Sequence, residues 1–328
     1  MTANIAVLGS HSFSGNSYCG HLLQKNGCLS ISRSASLLPQ FDSRSTAKFR
    51  SEEKTLVWNL NDSSDRVIRE LQERNIETIL NFAAQSMVGQ SWDHPEDWYQ
   101  ANIVGLAKFI NRLRNETGIK RFIQFSTPEV YGSTEGWINE SYDFKPSTPY
   151  AISRAAGDWH LKVLYENFGF PVIFTRAANV YGEHQPLYRI VPKVILSALT
   201  GRKLPLQGEG KSIRSFIHIS DVNTALDQIV IKGIVGETYH ISTKNLVSIY
   251  ELVSLIARKL NVEIDDLIEM TPERPGKDFT YQLNSDRLRK LGWSDNTSLD
   301  EGLDRTISWV TNNFSALKNM PTDYVHRK

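Results

Sequence analysis

Only two cysteines, Cys19 and Cys28, occur in a chain of 328 residues. That is too few for a disulfide framework and their spacing is not that of a metal knuckle, so a reducing compartment, the cytoplasm, is expected. The eight histidines form no HxxxH or similar cluster, and no metal is expected. An excess of one charge is missing as well. Lysine and arginine number 37 against 36 acidic residues, a net charge of +1, which offers no general field to nucleic acid or an anionic membrane. Any anionic ligand must be caught by local groups. The longest apolar runs, such as residues 5–8, are far too short to span a bilayer. No signal-peptide pattern opens the chain, since residues 2–9 read as a strand running into a glycine turn. Repeats and low-complexity segments are lacking, and the last ten residues read as a loose tail.

What the chain does have is alternation. Short, nearly continuous apolar runs at 5–8, 29–32, 55–58, 78–82, 121–126 and 172–175 read as parallel strands covered on both faces. Helical pattern lies between them at 64–74, 97–115 and 151–168. This order implies an α/β fold with a Rossmann-type, doubly wound parallel sheet. After about residue 177 proline, glycine and basic residues are interspersed, with helices expected at 190–200, 248–260 and 299–313. The division expected is a dinucleotide-binding domain over 1–176 and a smaller substrate-binding domain over 177–328. Segments 215–219 and 238–242 are expected to return to the main sheet, so that 213–242 belongs partly to the first domain.

The first strand leads into Gly9-Ser10-His11-Ser12-Phe13-Ser14-Gly15 and then a helix. Glycine at the strand end permits a tight turn, and glycine at the helix start permits close approach of the backbone. The helix N-terminus offers free N–H groups and a positive dipole end to a pyrophosphate. Ser12 stands where the usual middle glycine would be, so the fingerprint is degenerate. The second strand ends at Arg33, where NAD-preferring folds carry an acidic residue on the ribose diol; arginine suits a 2′-phosphate. NADP is therefore favoured over NAD, with a solvated arginine at a strand end as the alternative. Asn59, Leu60 and Asp62 follow the third strand, where an adenine edge is commonly held.

Three further segments carry a resemblance. Asn81-Phe82-Ala83-Ala84-Gln85-Ser86 ends the fourth strand, and its alanines let the backbone approach a cofactor. Ser126-Thr127-Pro128-Glu129-Val130-Tyr131-Gly132 ends the fifth, and Pro149-Tyr150-Ala151-Ile152-Ser153-Arg154 opens the next long helix. Together they resemble the AAxS, STxEVYG and YxxxK signatures of extended short-chain dehydrogenases/reductases, most closely the nucleotide-hexose 4,6-dehydratases. Segments 176–182, 188–192, 213–218 and 273–278 have counterparts too, so the resemblance covers about residues 4–313.

The resemblance implies a transient oxidation at sugar C4 by NAD(P), followed by loss of the 6-hydroxyl. It makes Tyr150 the base at O4, Thr127 a hydrogen-bonding partner of the same oxygen, and Glu129 the group that removes H5. Glu129 is informative, because epimerases of this superfamily usually carry a small or neutral residue there. It further implies cofactor contacts from Ala83, Ala84, Tyr150 and Arg154. Gln85 and Ser86 are expected on the hexose, and Asn179, Arg189, Arg214 and Arg274 on the diphosphate or nucleotide, where guanidinium–phosphate pairing is bidentate. A homodimer built on helices 97–115 and 151–168 is also implied.

Two departures stand out. Pro128 replaces an aspartate that protonates the departing hydroxyl in dTDP-glucose dehydratases, leaving Glu129 as both base and acid. Arg154 replaces the motif lysine one helical turn after Tyr150; it keeps the charge but not the reach. Besides a dehydratase, two readings stay open: a 4-epimerase or uronate decarboxylase of the same fold, and a catalytically impaired cofactor-binding sensor or scaffold.

Overall fold

A computed structural model describes residues 4–25, 27–46, 55–272 and 280–326. The first part runs β1 (Ile5–Leu8), α1 (Phe13–Leu23), β2 (Leu29–Ser32), β3 (Leu56–Val57), α2 (Asp65–Glu73), β4 (Thr78–Asn81) and α3 (Pro95–Tyr99). A π-helical stretch (Gln100–Gly105) joins α3 to α4 (Leu106–Glu116), and β5 (Arg121–Ser126), β6 (Trp137–Ile138), α5 (Pro149–Phe168) and β7 (Val172–Ala177) come next. Beyond these lie β8 (Asn179–Tyr181), α6 (Ile190–Thr200), β9 (Leu204–Gln207), β10 (Ile213–His218), α7 (Ile219–Lys232), β11 (Thr238–Ile241), β12 (Leu246–Ser248) and α8 (Ile249–Lys259). The chain then forms α9 (Ile264–Leu267), β13 (Ile268–Thr271), β14 (Gln282–Leu283), α10 (Asp286–Arg289), α11 (Leu299–Asn312) and α12 (Phe314–Leu317).

Seven strands form one sheet in the order β11-β7-β5-β4-β1-β2-β3, with every pairing parallel. Its strands bury both faces, as their unbroken apolar runs require. One face packs on α1 and α7 through Tyr18, Leu22, Val222 and Leu226. The other packs on α2 and α4 through Val67, Leu71, Phe109 and Leu113. A separate apolar core gathers α6, α8 and α11 around Val194, Leu252, Ile256 and Leu303.

Three expectations are corrected. Segment 238–242 does join the main sheet as β11, but 215–219 does not: β10 lies between β8 and β12 in a three-stranded sheet of its own. An apolar run identifies a strand without naming its neighbours. The helix expected over 97–115 is interrupted by the π-helical stretch, which places Asn102 towards the interior at 3% exposure. The tail is not loose, because Tyr324 and His326 pack on aromatic partners. Of the tryptophans without an assigned role, Trp98 is fully buried, while Trp92 and Trp137 stand about half exposed. No helix among the described residues is long and apolar enough to cross a membrane.

Candidate active site

The carboxyl ends of β1, β2, β4 and β5 open onto a cleft of about 910 Å³, where parallel α/β sheets bind ligands. Gly9 turns the chain after β1 with φ of 73°, and a Cβ there would sit 2.7 Å from the Ala83 backbone nitrogen. Ser12 caps α1: its Oγ accepts from the Gly15 N–H at 3.2 Å and donates to the Gly9 carbonyl at 2.7 Å. The hydroxyl thus uses the space that a middle glycine would leave open. Phe13 and Ser14 line the cleft, and a helix cannot pair their first-turn N–H groups internally. Gly15 does not line it; a Cβ on Gly15 would lie 2.4 Å from the Gly9 carbonyl oxygen, so its part is packing.

Arg33, exposed at the end of β2, also lines the cleft, as do Asn59 and Leu60. Asn59 organises its own turn, with Oδ1 accepting from the Asn61 N–H at 3.1 Å. Ala83 and Ala84 form the floor beyond β4, where the Ala83 N–H donates to Asn81 at 3.1 Å.

Thr127 ends β5 and caps the short turn Pro128–Tyr131, accepting from the Glu129 N–H at 3.3 Å. Pro128 fits the first position of that turn because a proline lacks the N–H that would go unpaired there. Thr148 caps α5 in the same way and is followed by Pro149, which presents Tyr150 in the first turn. Burial pushes the Tyr150 phenol above its usual range, Arg154 pulls it down, Glu129 pushes it up, and a hydrogen bond with Thr127 pulls it down. Thr127, Glu129, Tyr150 and Arg154 therefore meet on one wall.

Arg154, 5% exposed, donates Nη2 to the Phe125 carbonyl, yet its Nε is buried with no hydrogen-bond partner among the described residues. An unpaired buried donor beside a tyrosine, in the same cleft as the first turn of α1, fits a dinucleotide.

Gln85, Ser86, Asn179, Arg189 and Arg214 line the same cleft. The Tyr281 hydroxyl donates to Asn179 at 2.5 Å, and the Arg214 guanidinium stacks on the Tyr281 ring at 4.6 Å. Arg274 lies outside the described residues.

Two residues escaped the sequence reading. Asn102 clamps the Gln85 backbone, accepting its N–H and donating to its carbonyl at 2.9 Å each, and donates to Ser153 of α5 at 2.9 Å. The amide of Asn102 inside the otherwise apolar residues 101–107 was the available signal. Lys193 lines the cleft from α6, one turn after Arg189, and a cation at that spacing was legible too.

Comparison with known proteins fits this geometry. The chain belongs to the extended short-chain dehydrogenase/reductase family described as GDP-mannose 4,6 dehydratase, which matches residues 7–306. It is 34% identical over 255 residues to a trifunctional UDP-glucose 4,6-dehydratase/UDP-4-keto-6-deoxy-D-glucose 3,5-epimerase/UDP-4-keto-L-rhamnose-reductase of Arabidopsis thaliana, 76% of this chain. The chain spans only 38% of that relative's length. A dTDP-D-glucose 4,6-dehydratase of Mus musculus is 34% identical, with 74% of this chain and 70% of the relative covered. Among solved structures, a double mutant of dTDP-glucose 4,6-dehydratase from Streptomyces venezuelae, with NAD and DAU bound, superimposes with a TM-score of 0.87. The two are 25% identical, with 95% of this chain and 98% of the other covered. The dTDP-glucose 4,6-dehydratase of Bacillus anthracis in complex with NAD gives 0.83 at 27% identity, covering 96% and 98%.

Proposed function

We propose that the chain is a nucleotide-hexose 4,6-dehydratase producing a 4-keto-6-deoxy sugar, with residues 1–176 holding the cofactor and 177–328 the nucleotide sugar. The observation that carries this reading is the convergence of Thr127, Glu129 and Tyr150 on one wall of the cleft. The groups to hold the dinucleotide are the turn from Gly9 to Gly15, Asn59, Leu60, Ala83, Ala84, Tyr150 and Arg154. A nicotinamide bound there supplies transient acceptance of hydride from sugar C4 and its return at C6.

Tyr150 takes the O4 proton and Thr127 holds the same oxygen. Arg154 is the fixed cation that favours the phenolate over the phenol. Once C4 is a ketone, H5 is acidic, and the Glu129 carboxylate removes it. Pro128 has no proton to give, so the proton gained by Glu129 returns to the departing 6-hydroxyl as water leaves. As C6 is reduced, C5 regains a proton from solvent through Glu129, and Tyr150 releases the one it took from O4. Gln85 and Ser86 hold the hexose, and Asn179, Arg189, Arg214 and Arg274 hold the diphosphate and nucleotide.

NADP is the proposed form of the cofactor, since Arg33 puts a guanidinium at the end of β2 on the cleft. The relatives from S. venezuelae and B. anthracis were solved with NAD, so competitive binding of the two cofactors decides the point. A homodimer is proposed on α5, where Ile152, Trp159 and Val163 make an exposed apolar stripe beside Val104.

The test is incubation with dTDP-, UDP-, GDP- and CDP-hexoses and with UDP-glucuronate. A 4-keto-6-deoxy product absorbing in alkali supports the proposal; an epimer, a pentose or no product overturns it.

A further inference from the structure

The segment after α12 crosses the mouth of the cleft. Thr322, Asp323 and Tyr324 line the same space as Arg189 and Lys193. Asp323 accepts from the Lys193 ammonium at 2.9 Å. The Tyr324 ring meets Tyr188 edge to face at 5.2 Å and 78°. Two residues on, the His326 Nε2 lies 2.8 Å from an Asp97 carboxylate oxygen. Its imidazole stacks on Trp98 at 5.0 Å and on His94 at 5.1 Å. Residues 322–326 thus run from the start of α6, which lines the cleft, to α3, the short helix that follows the cleft-lining loop of Gln85 and Ser86. The family match ends at residue 306, so this crossing lies beyond the matched residues.

We infer that residues 322–326 are a strap that closes the hexosyl-diphosphate end of the cleft and retains the nucleotide sugar, an inference that rests on the proposed dehydratase function. The strap lies between the loop carrying Gln85 and Ser86, which leads into α3, and Arg189 at the start of α6. An exposed ion pair alone holds a terminal segment weakly. Ring contacts at both ends supply the rest, Tyr324 on Tyr188 and His326 on the buried Trp98. Such a segment opens to admit substrate and closes over it, keeping water from the reacting ketone. Tyr324 and Asp323 are its substrate-facing residues, and His326 is a positioning residue that acts through them.

The experiment compares the parent with a chain ending at Thr322 and with the full-length double variant Tyr324→Ala, His326→Ala. Steady-state kinetics are measured on whichever nucleotide hexose the parent converts, and binding of dTDP-glucose and UDP-glucose is followed by tryptophan fluorescence. Both altered chains should show KM and the sugar dissociation constant raised about fivefold or more, with kcat reduced less than about twofold and cofactor affinity retained. Unchanged KM and unchanged sugar binding in both overturn the strap while leaving the dehydratase reading intact. A parent that binds a nucleotide sugar without dehydrating it overturns the dehydratase reading, and weaker binding by the shortened chain then still supports the strap. A parent that binds neither sugar overturns both.

Discussion

Asp158 and Arg176 form an ion pair 3.0 Å long with both side chains fully shielded from solvent. The same carboxylate oxygen accepts the Ser126 hydroxyl at 2.7 Å, one residue before Thr127. The Arg176 Nε and Nη1 have no hydrogen-bond partner among the described residues, and the guanidinium instead lies over Phe144 at 5.0 Å and Tyr131 at 5.1 Å. The pair therefore ties α5 and β7 to the end of β5, directly behind the wall that carries Thr127, Glu129 and Tyr150.

Breaking that pair strands a charge. Asp158→Asn leaves the guanidinium buried and uncompensated, and should lower unfolding free energy by about 3–5 kcal/mol. Urea denaturation measures it, and an unshifted midpoint would contradict the role.

Arg154 should govern the pH dependence of turnover. Burial raises the Tyr150 phenol and the guanidinium works against that rise. In Arg154→Met the opposing charge is gone, the phenol moves further up, and the limb of kcat/KM that climbs with pH shifts to more alkaline values. For every pH unit the limb moves, the rate at neutral pH falls about tenfold. Arg154→Lys keeps a cation and should move the limb less. Overlapping pH profiles for parent and Met variant would remove Arg154 from this role.

Glu129→Gln separates the two halves of the reaction. It should cut dehydration by about 10²–10⁴-fold, the usual worth of a positioned acid–base group, while hydrogen exchange with solvent at C5 stops as well. Cofactor binding, followed by fluorescence, should be retained. Dehydration at the parental rate would refute the assignment.

His11 gives a stability signal in mild acid. Burial first, and then the Arg44 guanidinium 3.2 Å away, hold its pKa at about 4, below the ordinary 6.5. The folded value is depressed, so its contribution is complete above about pH 6.5 and is lost as pH falls through 4. His11→Gln should lose less stability than the parent across that window. Urea midpoints at several pH values test it, and parallel curves would count against it.

Much of this was legible in the chain. Strands at 5–8, 29–32 and 121–126 fall where the apolar runs put them, because a parallel strand buried on both faces leaves a continuous signal. The turn after β1 was legible despite Ser12, since the strand, the turn and the helix appear in order. What was hidden needed information beyond local pattern. The partners of β10 depend on long-range pairing, and the docking of Tyr324 and His326 depends on rings more than 130 residues away, Tyr188 and Trp98. The wide turn at Gln100–Gly105 is invisible because an apolar period of 3.6 passes through it almost unchanged.

That wide turn has a mechanical consequence. An extra residue in one helical turn rotates α4 relative to α3, and here it brings one carboxamide to bear on both the Gln85 backbone and Ser153. The spacing between the loop carrying Gln85 and the helix bearing Tyr150 is therefore held by this side-chain strut, together with the Ser91 hydroxyl, which accepts from the Tyr150 N–H at 3.1 Å. Their alignment survives small movements of the sheet beneath them.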